Sequence, residues 1–383
     1  MNFFKLLIAL SCSQFNFIPP KKKKILIFDV SLIQYFQKSD LFKKKNFEIL
    51  YTRYEKINLF IIFKCLLNFN LSLKGYYQEY IDYCSPKIFI TLCDNNILFY
   101  ELNCKKGSKI SIQSGKRSEI NDIFSNIETI SKNKNLSADY IFTFSHSISN
   151  LYRKYIKCKT ISHGSIMSNS KPIKSFKRSP KKILLISNFY DVYIAPETKK
   201  LCRINFASLL KIEIKILKHL NTYLTKKNIK LNILSRYSNN LYKHEKKYYS
   251  QIFTSPNFKL LKNSKVNKFQ LIDEHSLTIG FDSSLVSEAF GRKKKVLQID
   301  YKSAISSKFD SYRILWPLKK NDSALFYFKY HKNEYLLDKK LDIILNQSKH
   351  EWNAAFKKYK KKIMDYDPQN YKLKSLLNNL YEK

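Results

Sequence analysis

Short, almost uninterrupted apolar runs alternate with stretches of helical spacing along most of the chain. Lys24–Asp29, Phe47–Tyr51, Pro86–Cys93, Lys109–Gln113 and Ala138–Phe144 read as strands, and Lys159–Ser165 closes this first series. Ile57–Leu67, Tyr76–Cys84 and Ile148–Tyr155 read as the helices among them. Runs that are apolar throughout belong to strands buried on both faces, and strands separated by helices belong to a parallel α/β sheet. Residues 168–182 are polar and punctuated by prolines, the pattern of a linker. A second α/β series follows, with a strand at Ile183–Ser187, a long helix at Phe206–Leu224, a strand at Ile229–Leu234 and an apolar run at Phe258–Leu261. From Asp338 to Tyr381 the spacing is helical, interrupted at Asp367-Pro368. The pattern predicts two α/β domains, 1–175 and 180–345, and a helical tail, 346–383, packing across them.

Residues 277–300 carry the most chemistry. An apolar run ends at Gly280; Asp282-Ser283-Ser284 follows, then a helical segment containing Glu288, a glycine at Gly291, basic residues and a further apolar run ending at Asp300. This is a strand-turn-helix-turn-strand unit whose polar residues gather where the strand hands over to the helix. The first amides of a helix lack intrahelical partners and carry partial positive charge, which suits a ligand phosphate. Asp and Ser are also the preferred helix caps, so a cap alone is the competing reading. Glu288 is an ordinary surface glutamate by spacing, or a ribose ligand if the unit faces a ligand crevice. Gly291 reads as the left-handed stop of the helix.

Composition narrows the class. A hydrophobic share of 44% with 15% aromatics belongs to a folded protein. The net charge of +40 comes almost entirely from lysines spread along the chain, accompanied by abundant Asn, Ile, Phe and Tyr. Such usage follows from AT-rich codons, and the expected partner of the basic surface is anionic lipid or an acidic substrate rather than nucleic acid. The seven cysteines form no CxxC pair and the seven histidines no HExxH or HxxxH pattern, so a reducing compartment and no metal are expected. The apolar start, Phe3–Leu10, is too short to span a bilayer, and residues 1–18 read as an amphipathic lead-in that packs on the domain or touches a membrane. The expected location is cytoplasmic, at most peripheral on the inner face of the plasma membrane.

Ligands of open parallel sheets bind at the carboxyl ends of strands. By the strand assignments Asp29, Asp94, Gln113, His146 and the turn His163-Gly164-Ser165 occupy such ends in the first half, and Ser187 and Arg236 in the second. Asp94 is the leading general-base candidate, since a carboxylate there can take the proton of an attacking hydroxyl; His146 and His163 are the alternatives. Arg236, one of eight arginines, offers a planar fork of donors to a phosphate.

Taken together, Pro20–Asp29, Pro86–Asn95, Ser111-Ile-Gln-Ser-Gly115, Ala138-Asp-Tyr140, His163-Gly-Ser165, Ile183–Ser187 and the 277–300 unit resemble the GT-B glycosyltransferases, and more narrowly the bacterial transferases of surface-carbohydrate biosynthesis of the capsule or O-antigen type. The resemblance implies two Rossmann-like domains facing a cleft, with a helical C-terminal tail. It also implies a nucleotide sugar, as co-substrate rather than cofactor, held mainly by the second domain. Asp282, Ser283 and Ser284 would lie at its diphosphate and Glu288 at its ribose, with Ser187 and Arg236 nearby. Gln113, Gly115, Gly164 and Ser165 would line the first domain, where a glycan or lipid-linked acceptor is expected. Ser114 stands where the family pattern has Asn.

Three rival readings remain open. A sugar-nucleotide epimerase shares this architecture and needs no acceptor. A polyol-phosphate transferase uses a CDP-alditol. A basic RNA-binding protein would show salt-sensitive binding and no affinity for nucleotide sugars.

Overall fold

The computed structural model describes residues 11, 13–31, 33–34, 42, 47–117, 122–174, 179–194, 200–201, 204–253, 258–281, 283–302, 324–330 and 333–382. The chain divides into two compact units. The first comprises Met1–Gly115, Asn121–Ser170 and Asp367–Lys383, and the second Lys116–Ile120 and Lys171–Tyr366.

In the first unit a short strand β1 (Gln14–Asn16) precedes β2 (Ile25–Phe28), β3 (Phe47–Leu50), β4 (Lys56–Asn58), β5 (Ile88–Thr91), β6 (Ser108–Ile112), β7 (Ser137–Thr143) and β8 (Lys157–Ser162). Six of these form one parallel sheet in the order β3-β2-β5-β6-β7-β8, and β1 pairs with β4 apart from it. Every residue of β2 and of Ile88–Ile90 is fully buried, as expected of central strands covered on both faces. The last helix, Tyr371–Glu382, belongs to this unit, and its Leu373 and Leu377 join the core formed by Ile25, Ile88 and Ile110.

The second unit contains β9 (Ser179–Ile186), β10 (Lys200–Leu201), β11 (Ile204–Asn205), β12 (Lys230–Leu234), β13 (Phe258–Leu261), β14 (His275–Gly280), β15 (Val296–Asp300) and β16 (Tyr327–Lys329). Its six-stranded sheet, also parallel, runs β13-β12-β9-β14-β15-β16. Counted along the chain that is the 3-2-1-4-5-6 order of a Rossmann sheet. The long helix Phe206–Lys226 lays Leu209, Ile216, Leu217, Leu220 and Leu224 against it, at the spacing of one helical face. The helical tail is shared between the units: Lys349–Ile363, opened by a Ser348–Glu351 capping box, packs Trp352 and Phe356 on Phe290 of the second unit. Among the described residues no helix is long and apolar enough to cross a membrane.

Three local expectations are corrected. The apolar run Ile57–Leu67 is not one helix: Lys56–Asn58 pairs as β4, and the helix starts at Leu59 behind an Asn58 cap. The segment read as a linker is partly built into the second unit. Its end is the start of β9, and the Arg292 guanidinium holds the Lys171 and Pro172 carbonyls at 2.9 and 3.1 Å. Gly291 is not in the left-handed region. The stop lies two residues on, where Lys293 has φ 62° and the amides of Lys293 and Lys294 reach back to Phe290 and Ala289. A side chain at Gly291 would instead meet Met364, with Cβ 2.6 Å from its Cγ, so close packing calls for glycine there.

Arg292 also pairs with Asp273, both about fully buried, and Lys294 approaches the same carboxylate at 3.3 Å. Removing one member of a buried ion pair strands the other charge at a cost of about 3–5 kcal/mol, and the remaining Lys294 favours the low end. Arg292→Met is expected to lower the denaturant-unfolding free energy of this unit by about 3 kcal/mol; wild-type stability in the variant would contradict this account of the Lys171–Pro172 anchor.

Candidate functional site

The geometry of the second unit follows from where its strand order reverses. Chain connections leave β9 toward β12 on one side, while β14 and its successors build outward on the other. At such a reversal the loops leaving the two neighbouring carboxyl ends diverge and open a crevice. Here those ends carry Ser187-Asn188 and Phe281 to Ser284. Asp282 lies outside the described residues.

Ser283 caps the helix Ser284–Gly291, its Oγ accepting from the Leu285 amide at 3.2 Å, and both Ser283 and Ser284 are half-buried. The approach is tight because a Cβ at Gly280 would lie 2.6 Å from Val286 Cγ2. Glycine thus lets the helix start against the strand end, bringing its first amides to the carboxyl edge of the sheet. Glu288 sits one turn further, 1% exposed, in a stretch buried from Leu285 to Gly291.

Two buried carboxylates shape the loops around this edge. Glu245, from the helix Leu241–Ile252, accepts the Ser187 hydroxyl and the amides of Arg236 and Tyr237 at 2.8 and 3.0 Å. It thereby ties the loop after β9 to the loop after β12. Burial raises its pKa, opposed by these hydrogen bonds. Glu213 is fully buried and accepts from Tyr193, Tyr301 and Asn188, each at 2.7 Å, and from Tyr248 at 3.2 Å. Burial raises this carboxyl too, against the four donors. With its backbone fixed by Glu245, the exposed Arg236 lays its guanidinium over the Tyr190 ring, 4.0 Å from the centroid. The result is a positioned cation on the loop that Glu245 ties to Ser187, with β9 between its strand and the strand that leads into the helix start.

The first unit reverses its strand order between β2 and β5. Asp29, at φ 76°, accepts from the Ser31 amide and Thr52 Oγ1, both at 2.6 Å, and from Arg53 Nε at 3.2 Å. Burial works to raise its pKa, but these hydrogen bonds and the Arg53 charge outweigh it and hold the carboxyl below its ordinary value. Asp94 is fully buried, accepting from the Tyr152 hydroxyl at 2.5 Å and from the amide and hydroxyl of Ser114 at 3.1 and 3.3 Å. Gln113 donates to the Gly115 carbonyl and accepts from the Phe144 amide, joining the ends of β6 and β7. Asp94, Gln113 and Gly115 therefore belong to one hydrogen-bonded loop. Gly115 has open space around it.

His146 is exposed, the first residue of the helix His146–Tyr155, whose cap is Ser145. His163 is fully buried beside Phe142. Asn370 and the Thr143 carbonyl lie near its ring, yet neither ring nitrogen has a partner of hydrogen-bond geometry among the described residues. Burial first, and the Lys372 ammonium second, push its pKa down to about 3, so the imidazole is neutral. Gly164 takes φ 84°, which glycine alone adopts freely, and turns the chain so that Ser165 can cap the helix Ile166–Asn169. The turn is held by the returning C-terminal segment, through Lys372 Nζ to the Ser162 carbonyl and Asn370 Nδ2 to the Ile166 carbonyl.

Glu245, Glu213, Asn188, Tyr152 and Arg53 were not singled out from the sequence. Each acts on a partner 20 or more residues away, Glu245 on Ser187 at a separation of 58 and Tyr152 on Asp94 likewise. No local pattern marks such pairs.

Two parallel Rossmann-like sheets, with a last helix returning to the first unit, define a GT-B-like fold. A structure of the wall teichoic acid polymerase TagF with CDPG matches at a TM-score of 0.50 and 14% identity, over 94% of this chain and 90% of that one. TarM matches at 0.43 and 14% identity, over 82% and 59%. UDP-GlcNAc 2-epimerase from Methanocaldococcus jannaschii matches at 0.46 and 11% identity, over 92% and 99%. By sequence, residues 110–381 match a family described as "putative O-antigen biosynthesis protein", and the chain belongs to that family. No curated protein matches it by sequence.

A histidine whose folded-state pKa lies below its ordinary 6.5 favours folding above that value and loses the contribution as pH falls toward the folded value. For His163 the window is pH 6.5 to about 3, and for His275, lowered chiefly by burial to about 4, it overlaps. Wild-type stability is therefore expected to fall from pH 6.5 downward, and His163→Gln to fall less steeply across the same window. Identical pH profiles in thermal melts would show that His163 is not held neutral by burial.

Proposed function

We propose that this protein transfers a glycosyl group from a nucleotide-activated sugar to a hydroxyl of a surface-polysaccharide or lipid-linked glycan precursor. The observation that carries the reading is the edge of the second unit's sheet at its strand-order reversal. There the Ser283–Ser284 helix start and the Ser187 and Arg236 loops, both fixed by Glu245, lie on neighbouring strand ends. Membership of an O-antigen biosynthesis family supports the glycan side of the reading.

In this reading the second unit binds the donor. The helix-start amides at Ser283 and Ser284, with the Arg236 guanidinium, stabilise the diphosphate as it departs, a role that needs no metal. Glu288 accepts the ribose hydroxyls. The bond between the anomeric carbon and the diphosphate oxygen breaks, a bond from that carbon to the acceptor oxygen forms, and the acceptor's proton passes to a protein base. His146, exposed as the first residue of its helix, is the best base, because an acceptor hydroxyl can reach it, whereas the fully buried His163 is closed to one. Asp94, whose carboxylate is engaged by Tyr152 and Ser114, positions the Gln113–Gly115 loop.

The test is a panel of nucleotide sugars, with CDPG included because the TagF structure was soaked with it, scored by thermal stabilisation and then by product formation. One nucleotide sugar should raise the melting temperature and be consumed only with an acceptor present. Stabilisation by CDPG alone would replace this reading with polyol-phosphate transfer, and consumption without acceptor would replace it with epimerisation. Glu288→Gln is expected to weaken donor binding about tenfold, equivalent to about 1.4 kcal/mol, with the melting temperature of the free protein little changed. Unaltered donor affinity would remove Glu288 from the ribose site. His146→Asn should abolish transfer while leaving donor affinity intact, and near-normal turnover would remove it as the base.

A further inference from the structure

The first unit presents a large apolar surface that the donor-site chemistry does not use. The helix Leu59–Leu67 is apolar almost all round. Its inner face, Ile61 and Cys65, is buried, whereas Phe63, Leu66 and Leu67 are 58, 49 and 62% exposed on the opposite side. An amphipathic helix would carry charged or polar residues there. The chain then turns through Phe69, whose backbone is at φ 52° and whose ring is 96% exposed, to Leu71 and Leu73, 69 and 45% exposed. A bulky residue in the left-handed region is an uncommon conformation, and here it points a phenyl ring into solvent.

A second apolar strip lies against the start of this helix. β1 pairs with β4 in register, Asn16 opposite Asn58, and Asn58 donates through Nδ2 to the Ile18 carbonyl at 2.8 Å while capping the helix. That brings Phe15, Phe17 and Ile18, 51, 75 and 70% exposed, beside the outward-facing helix residues. Scattered exposed apolar residues are ordinary, but a contiguous set of this size marks an interaction surface.

Its charged surroundings select the partner. Lys22 and Lys64 converge on the Tyr83 ring, at 5.0 and 5.9 Å from its centroid, and Tyr83 packs on Phe60 of the same helix. Lys21 and Lys24 are exposed in the strand lead-in, and Lys74 follows the Leu71–Leu73 segment. The acidic groups close by are engaged, Glu79 by Asn68 at 2.7 Å and Glu101 by Lys74 and Lys134 at 3.6 and 2.9 Å. A second copy of this chain, with net charge +40, would bring like charges together at such a surface, whereas an anionic bilayer complements the lysines and accepts the phenyl and leucyl side chains among its acyl chains.

We propose that the Phe15–Ile18 strip and the Leu59–Leu73 helix-turn form a docking surface for an anionic lipid bilayer. This does not rest on the donor-site reading. Apolar side chains insert below the headgroups while the lysine collar stays at phosphate level.

The test uses the full chain in flotation with phosphatidylcholine vesicles, with and without phosphatidylglycerol. The wild-type protein should float with the anionic vesicles, and Phe63→Ser/Leu67→Ser/Phe69→Ser should reduce partitioning by about tenfold or more. As these side chains are exposed, the melting temperature should be unchanged. A separate Phe69→Trp variant should show blue-shifted indole emission with anionic vesicles and quenching by brominated acyl chains. The proposal is overturned if the wild-type protein does not float, if the triple variant floats as well as wild type, or if the triple substitution changes only self-association in sedimentation.

Discussion

The structure of the candidate donor site depends on one constraint: a parallel sheet whose strand order reverses must leave two adjacent strand ends with loops running apart. In the second unit those ends are Ser187 after β9 and Phe281 after β14. Divergence alone would give a slack opening. Glu245 removes the slack by holding the Ser187 hydroxyl and two loop amides with one carboxylate, and Glu213 does the same for Asn188 and Tyr301 across 25 and 88 residues. On the other flank, Gly280 permits the helix start to close on the strand end. Amides proposed to hold a phosphate serve only when fixed before the ligand arrives, and these contacts fix the strand-end loops in advance.

Burying Glu213 and Glu245 works against their ionised forms, and both pKa values are raised. Several donors converge on each and partly offset that desolvation. The first unit uses the same device with Asp94 and Tyr152, and there too the buried carboxylate organises a loop at a strand end, Gln113 to Gly115. Each unit thus places a buried acid behind its loops. The exposed chemistry in front differs: a tyrosine-stacked arginine in the second unit, a solvent-facing histidine in the first.

Much of this was legible in the sequence because it is local. Uninterrupted apolar runs marked the central strands, since both faces of a parallel sheet are covered, and Gly280 followed by Ser283-Ser284 marked a strand handing over to a capped helix. What was not legible is long-range. Glu245 looks like any helical glutamate until Ser187 is found beside it. Gly291 looked like a helix stop because glycine commonly is one; its neighbour Met364, 73 positions on, supplies the actual reason, and Lys293 takes the left-handed turn. The polar 168–182 segment looked like a linker because the side chain that captures its carbonyls, Arg292, is distant in sequence. The apolar run at 57–67 looked like a single helix because its hydrophobicity does not show that Lys56–Asn58 pairs with the distant strand β1.

The central claim is that the second unit's β9–β14 edge receives a nucleoside diphosphate group. Hydrogen–deuterium exchange with and without a saturating nucleoside diphosphate tests it directly, because the proposed contacts are largely backbone amides. The account predicts slowed exchange in residues 283–286, 187–190 and 235–238, with the sheet of the first unit unchanged. Protection confined to the first unit, or unaltered exchange at 283–286 under saturation, would contradict it.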